Sequence, residues 1–109
     1  MPFVKVGVVD EMLPGSSRKF EHAGRAILIV SLAGTFAAID SVCPHQKGDL
    51  SAGAIEDATV TCPKHGSRFD LRTGRNLRGA KILFLTVPVK DVRTFAVKVE
   101  GPDLLVEIP

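Results

Sequence analysis

Along most of the chain, apolar residues return every second position rather than every 3.6, which is the period of strands. Residues 3–9, where Val4, Val6 and Val8 alternate with Lys5 and Gly7, read as a first strand. Leu13-Pro14-Gly15-Ser16-Ser17 is a turn cluster. Residues 18–22 and 25–30 form two strands joined across Ala23-Gly24, and a third at 35–40 follows the turn Ala33-Gly34. Residues 41–57, rich in Gly, Pro, Ser and Asp, read as loop. Short strands at 59–61 and 67–70 flank a second loop at 63–66, and Thr73-Gly74 is a turn. The pattern then predicts single strands over 82–89 and 93–99, a tight turn at 100–103, and a last strand at 104–108. No amphipathic helix longer than about two turns is visible. Roughly eight to ten short strands with regular turn signals imply an all-β fold, a small antiparallel β-sandwich or barrel.

Composition narrows this picture. A length of 109 residues fits one domain, so residues 1–109 are expected to fold as a single unit. Hydrophobic residues make up 45% and charged residues 24%, the balance of a globular protein rather than a disordered one. The longest apolar run, 26–30, is strand-sized, so no membrane span is expected. The N-terminus lacks the basic and long apolar regions of a signal peptide, which points to the cytoplasm. Two cysteines cannot build a disulfide framework, and in a reducing compartment a Cys pair more often binds metal.

Position turns that count into chemistry. Both cysteines and two of the three histidines fall within residues 43–65, as Cys43-Pro44-His45 and Cys62-Pro63-Lys64-His65. The pattern is C-x-H, sixteen residues, then C-x-x-H. Each island offers one soft thiolate and one imidazole, so the two loops suggest one site gripped from two sides. Several readings compete: four residues sharing no site, a Cys43–Cys62 disulfide, a tetrahedral zinc site, and an iron–sulfur cluster. A disulfide leaves both histidines unexplained and would tend to be reduced in the cytosol. Zinc suits two Cys and two His, but zinc fingers usually pair like with like locally, whereas here each loop pairs Cys with His. The third histidine, His22, sits at a hairpin end and reads as a surface residue.

The spacing and flanking residues resemble the Rieske family. Cys62-Pro63-Lys64-His65-Gly66-Ser67-Arg68-Phe69-Asp70 looks like the second Rieske loop, and Val97-Lys98-Val99-Glu100-Gly101 looks like the closing hairpin of small Rieske ferredoxins. The resemblance covers most of the chain and is weakest between residues 76 and 94. It implies a small Rieske-type antiparallel β-sandwich with a cluster-binding subdomain formed by two loops. It also implies a [2Fe–2S] cluster with Cys43 and Cys62 on one iron and His45 and His65 on the other, and Gly66 and Ser67 beside it. Two thiolates and two neutral imidazoles make such a cluster neutral when oxidised and −1 when reduced. Adding an electron to a neutral site is easier than adding one to a dianion, so these clusters sit high, at roughly −150 to +300 mV.

The high-potential members carry an extra Cys in each loop, and this chain has none. They also place a Ser and a Tyr hydroxyl near cluster sulfurs. Ser67 matches the first and Phe69 stands where the Tyr would be, so a midpoint at the low end of the range, somewhat raised by Ser67, is expected. Gly48, Gly53 and Gly66 are expected to take φ > 0 and let the backbone approach the sulfides, while Pro44 and Pro63 stiffen the loops. Exposed His45 and His65 would make the midpoint fall with pH in the alkaline range.

With every iron position filled, such a centre moves electrons and does not catalyse. The resemblance therefore implies a soluble, monomeric one-electron carrier between a flavin-dependent reductase and a terminal oxygenase. Its alternatives are the Rieske small subunit of an assimilatory nitrite reductase and, in another class, a redox-inactive zinc-binding interaction module. Charge adds a hint about partners. Residues 64–81 hold Lys64, Arg68, Arg72, Arg75, Arg78 and Lys81 against one acid, Asp70, although the whole chain is only +2. This segment is either a solvated face or a docking patch for an acidic surface. No aromatics interleave with its basic residues in the manner of a nucleic-acid site, so nucleic acid is not an expected partner.

Overall fold

The most apolar strand of the chain lies at its centre because both of its faces are covered. The computed structural model describes residues 3–44 and 47–108, and within them Arg25–Leu32 (β3) runs between Ser17–His22 (β2) and Thr35–Asp40 (β4). Ile27, Leu28, Ile29 and Val30 are all fully buried. Side chains alternate across a strand, so the four must face two different cores. Leu28 and Val30 join Ala37, Ile39, Leu50, Val60, Phe69, Leu71 and the two cysteines. Ile27 and Ile29 join Val6, Met12, Ala38, Phe95, Leu104, Val106 and Ile108. Burying apolar side chains on both faces, at about 1.5–3 kcal/mol for each large one, makes this strand the backbone of the molecule.

The sheets follow from that sandwich. The central one has the order β11-β4-β3-β2, with β11 the short strand Thr94–Phe95. Against one face lies a three-stranded sheet, β1-β13-β12, built from Phe3–Val8 (β1), Val97–Glu100 (β12) and Asp103–Glu107 (β13). Thus the first strand pairs with the last, Val4 opposite Val106. Against the other face lies a meander of four short strands: Ala54–Glu56 (β5), Thr59–Thr61 (β6), Arg68–Asp70 (β7) and Asn76–Arg78 (β8). A separate hairpin, Ala80–Ile82 (β9) with Leu85–Val87 (β10), continues directly from β8. All pairings are antiparallel, and the fold is the expected all-β sandwich with a two-loop subdomain.

Several strand expectations need correction. The stretch 82–89 is not one strand but half of the β9–β10 hairpin, which reverses at Leu83-Phe84. Both turn residues are apolar, so the pattern carried no turn signal. The stretch 93–99 is interrupted at Ala96, which separates β11 in the central sheet from β12 in the outer one. The loop at 41–57 contains a 3-10 turn, Leu50–Ala52, and the strand β5. His22 is exposed, stacked on Phe20 with ring centroids 6.3 Å apart, as a surface residue should be.

Candidate metal centre

The cysteines sit at the end of the β5–β8 meander, in two loops closed by the same hydrogen bond. In the first, the Cys43 N–H donates to the Gly48 carbonyl at 2.7 Å. In the second, between β6 and β7, the Cys62 N–H donates to the Ser67 carbonyl, also at 2.7 Å. Each loop therefore folds back after five residues and presents its thiol inward. The second is tightened further by the Gly66 N–H on the Cys62 carbonyl at 3.0 Å, with Gly66 at φ +73°. Only Gly66 of the three loop glycines has the expected positive φ. Among the described residues of the first loop, Lys47 is left-handed, at φ 54°.

Gly48 and Gly53 are small for another reason. A Cβ on Gly48 would lie 2.7 Å from Cys62 Sγ, 3.3 Å from Lys64 Cβ and 3.7 Å from Cys43 Cβ. Gly48 is thus the point where the two loops touch, and only a hydrogen there leaves room for the sulfur. At Gly53, a Cβ would overlap the Thr61 carbonyl oxygen on the strand leading to Cys62.

Both cysteines are buried, at 1% and 2% exposure, in one apolar cluster with Phe69, and no disulfide joins them. Phe69 fills the core without a hydroxyl. His65 is half-buried, with its Nδ1 hidden from solvent and its carbonyl accepting from the Lys81 N–H at 2.7 Å. His45 lies outside the described residues. Among the described residues, no three His, Cys, Asp or Glu side chains converge as a metal site. The donor set fits a thiolate- and imidazole-bound cluster: two buried sulfurs from adjacent loops, a glycine-lined contact between them, and an imidazole on the second loop.

The loops are buttressed differently. Asp49, next to Gly48, accepts from Ser51 Oγ at 2.6 Å, from the Ser51 N–H at 3.0 Å and from Ser41 Oγ at 3.1 Å, and pairs with Lys19 at 3.3 Å. The hydrogen bond from the Ser51 hydroxyl is the main cause that holds its carboxyl down at about 2, against a smaller opposing effect of burial. Under the second loop, the buried Ser67 hydroxyl donates to the Arg78 carbonyl at 2.9 Å and accepts from Asn76 Nδ2 at 2.9 Å. Asn76 Nδ2 also reaches the Arg68 and Arg78 carbonyls at 3.1 and 3.0 Å. Arg78 returns two guanidinium hydrogen bonds to the Gly66 carbonyl, at 3.2 and 3.0 Å. Ser67 has one proton, and it goes to β8. Donation to a sulfide, expected from sequence, would require this hydroxyl to turn away from the Arg78 carbonyl.

Sequence reasoning missed Asp49, Asn76 and Arg78. Asp49 had a readable signal, since an Asp two residues before a Ser at a helical turn is a capping pattern. Asn76 and Arg78 had none, because their roles depend on β8 pairing with β7.

Comparison with known proteins agrees with the site. The Rieske [2Fe-2S] domain matches residues 2–81. The chain is 37% identical over 108 residues to the ferredoxin component of biphenyl 2,3-dioxygenase from Rhodococcus jostii (strain RHA1), covering 99% of this chain and 94% of that one. It is 30% identical over 108 residues to the biphenyl dioxygenase ferredoxin subunit of Pseudomonas sp. (strain KKS102), covering 98% and 93%. Among solved structures, the ferredoxin of carbazole 1,9a-dioxygenase from Nocardioides aromaticivorans IC177 superposes with a TM-score of 0.82 at 29% identity, over 97% of each chain. A ferredoxin solved in complex with the reduced oxygenase of carbazole 1,9a-dioxygenase matches with a TM-score of 0.79 at 27% identity, over 95% of this chain and 91% of that one. The zinc-module alternative falls with these matches. The chain belongs to the Rieske [2Fe–2S] family: it holds a Rieske-type cluster and carries electrons without catalysing a reaction of its own.

Proposed function

We propose that Cys43 and Cys62 ligate one iron and His45 and His65 the other, with Gly66 and Ser67 shaping the second loop. The protein then passes single electrons from a flavin-dependent reductase to a terminal oxygenase, as a cytoplasmic monomer whose residues 1–109 form one domain. The observation that carries the ligand reading is the Gly48 contact, because it brings the Cys62 sulfur against the loop that bears Cys43. The pairing of β1 with β13 supports a single unit, and no helix of the described residues is long and apolar enough to cross a membrane. The partner reading draws on the relatives that are ferredoxin components of dioxygenases and on the ferredoxin solved with its oxygenase.

The bound cluster supplies a one-electron couple. The chain's residues do the rest. The buried thiols and Phe69 exclude water on one side, and the half-buried His65 sits between that core and solvent. Purified protein should be red-brown and EPR-active only after reduction. With no Trp or Tyr, its near-ultraviolet and visible absorbance should come almost wholly from the cluster. The test is single-turnover reoxidation: reduced protein mixed with a terminal oxygenase should lose one electron per chain. A colourless protein, or a reduced one that no oxygenase reoxidises, would overturn the reading.

A further inference from the structure

Two-residue hairpin tips recur in this fold, and one differs from the rest. β2–β3 turns at Ala23-Gly24, β3–β4 at Ala33-Gly34, β5–β6 at Asp57-Ala58 and β12–β13 at Gly101-Pro102. These are small or polar residues, as tight turns favour. β9–β10 turns instead at Leu83-Phe84, and these are 91% and 90% exposed. Leu83 also takes φ 57°, the left-handed region that suits glycine. Leu85 beside them is 59% exposed and Leu77 on β8 51%. Neither backbone preference nor burial in the fold accounts for Leu and Phe at this tip.

Its position suggests what does. The base of the hairpin is clamped to the second ligand loop, Lys81 N–H to the His65 carbonyl at 2.7 Å and Arg78 to the Gly66 carbonyl at 3.0 Å. The hairpin therefore projects from the backbone of the loop that carries the proposed imidazole ligand. Basic residues surround its base: Lys64 next to His65 in the chain, Arg78 and Lys81 leading into the hairpin, all exposed. Every salt bridge of the described residues lies elsewhere, so Arg75, Arg78 and Lys81 keep their charge for a partner.

We propose that the Leu83-Phe84 tip is the apolar anchor of the docking surface for the terminal oxygenase. It enters an apolar recess rimmed by carboxylates, with Lys81 and Arg78 facing the rim, and so sets His65 at the contact. This rests on the electron-carrier reading above and names the surface that reading uses. The apolar centre with a charged rim is the anatomy of an energetic anchor, and weak redox encounters need little more.

The test replaces the tip without weakening the turn. Gly is preferred at the first position of a turn with φ > 0 there, so Leu83→Gly with Phe84→Ser should keep the hairpin. Both cluster-bearing proteins are reduced and mixed with the terminal oxygenase of carbazole 1,9a-dioxygenase from Nocardioides aromaticivorans IC177, and with that of biphenyl 2,3-dioxygenase from Rhodococcus jostii. Reoxidation is followed against oxygenase concentration. The expected result is an apparent affinity weaker by about tenfold or more in the variant, with visible spectrum and midpoint unchanged. Equal concentration dependence would overturn the docking surface and leave the carrier role standing. A wild-type protein that reduces neither oxygenase would overturn the carrier role and this inference with it. Self-association, or binding to anionic phospholipid vesicles, that the variant loses would assign the tip to another occupant and overturn it as well.

Discussion

The two ligand loops are built alike and held differently. Both close with a Cys N–H on a carbonyl five residues on, at the same 2.7 Å. The first hangs on Asp49, a half-exposed carboxylate gripping two serines and Lys19. The second rests on a half-buried neutral network of Ser67, Asn76 and the Arg78 carbonyl, with the Arg78 guanidinium closing over Gly66. A charged clamp in water responds to pH and salt, and a buried neutral one does not. The loop that carries His65 is therefore the one whose support depends less on solution conditions.

The largest expected effect falls where the loops meet. Gly48→Ala puts a methyl 2.7 Å from Cys62 Sγ, so the sulfur or the loop must move. Iron and acid-labile sulfide per chain should drop by more than half while circular dichroism keeps its β signature; full cluster content would show that the loops do not meet as described. Next comes the neutral network. Asn76→Ala takes the amide donor away from the buried Ser67 hydroxyl and the Arg68 carbonyl, and should destabilise the holo-protein by about 1–3 kcal/mol in denaturant titration. A change under about 0.5 kcal/mol would make the network incidental.

The charged clamp should give less. Asp49→Ala removes an exposed cap, a loss of about 1 kcal/mol at pH 7. Its pH dependence has a defined sign. The folded carboxyl titrates at about 2 rather than 3.8, so its contribution is complete above 3.8 and disappears as pH falls toward 2. Wild type and variant should therefore converge in stability as pH falls to about 2 in acid titrations, while Asn76→Ala stays offset. The smallest effect concerns Ser67. Its proton serves the Arg78 carbonyl, so Ser67→Ala should move the midpoint by less than about 59 mV, a tenfold change for one electron. A larger fall would mean that the hydroxyl turns to a sulfide when the cluster is bound.

The Rieske family and its cluster were readable from sequence because spacing and residue type carry them, and both survive without coordinates. The all-β class was readable for the same reason, through the period of two. What was hidden depends on pairing across the chain. The hydrophobic run at β3 gave no hint that Ile27 and Leu28 serve different cores. Leu83-Phe84 concealed a turn because neither residue is one that turns favour. That Ser67 also has an acceptor on β8 was hidden, and Gly48 looked like a turn glycine until Cys62 Sγ appeared 2.7 Å from its missing Cβ.

The central claim is that each loop contributes one sulfur and one imidazole to a single cluster. Pulsed EPR of the reduced protein, grown with 15N-histidine, tests it most directly. Two distinct, strongly coupled histidine nitrogens are predicted, with His65→Ala abolishing that two-nitrogen signature. A reduced signal that shows one such nitrogen or none, or that is unchanged by His65→Ala, would contradict it.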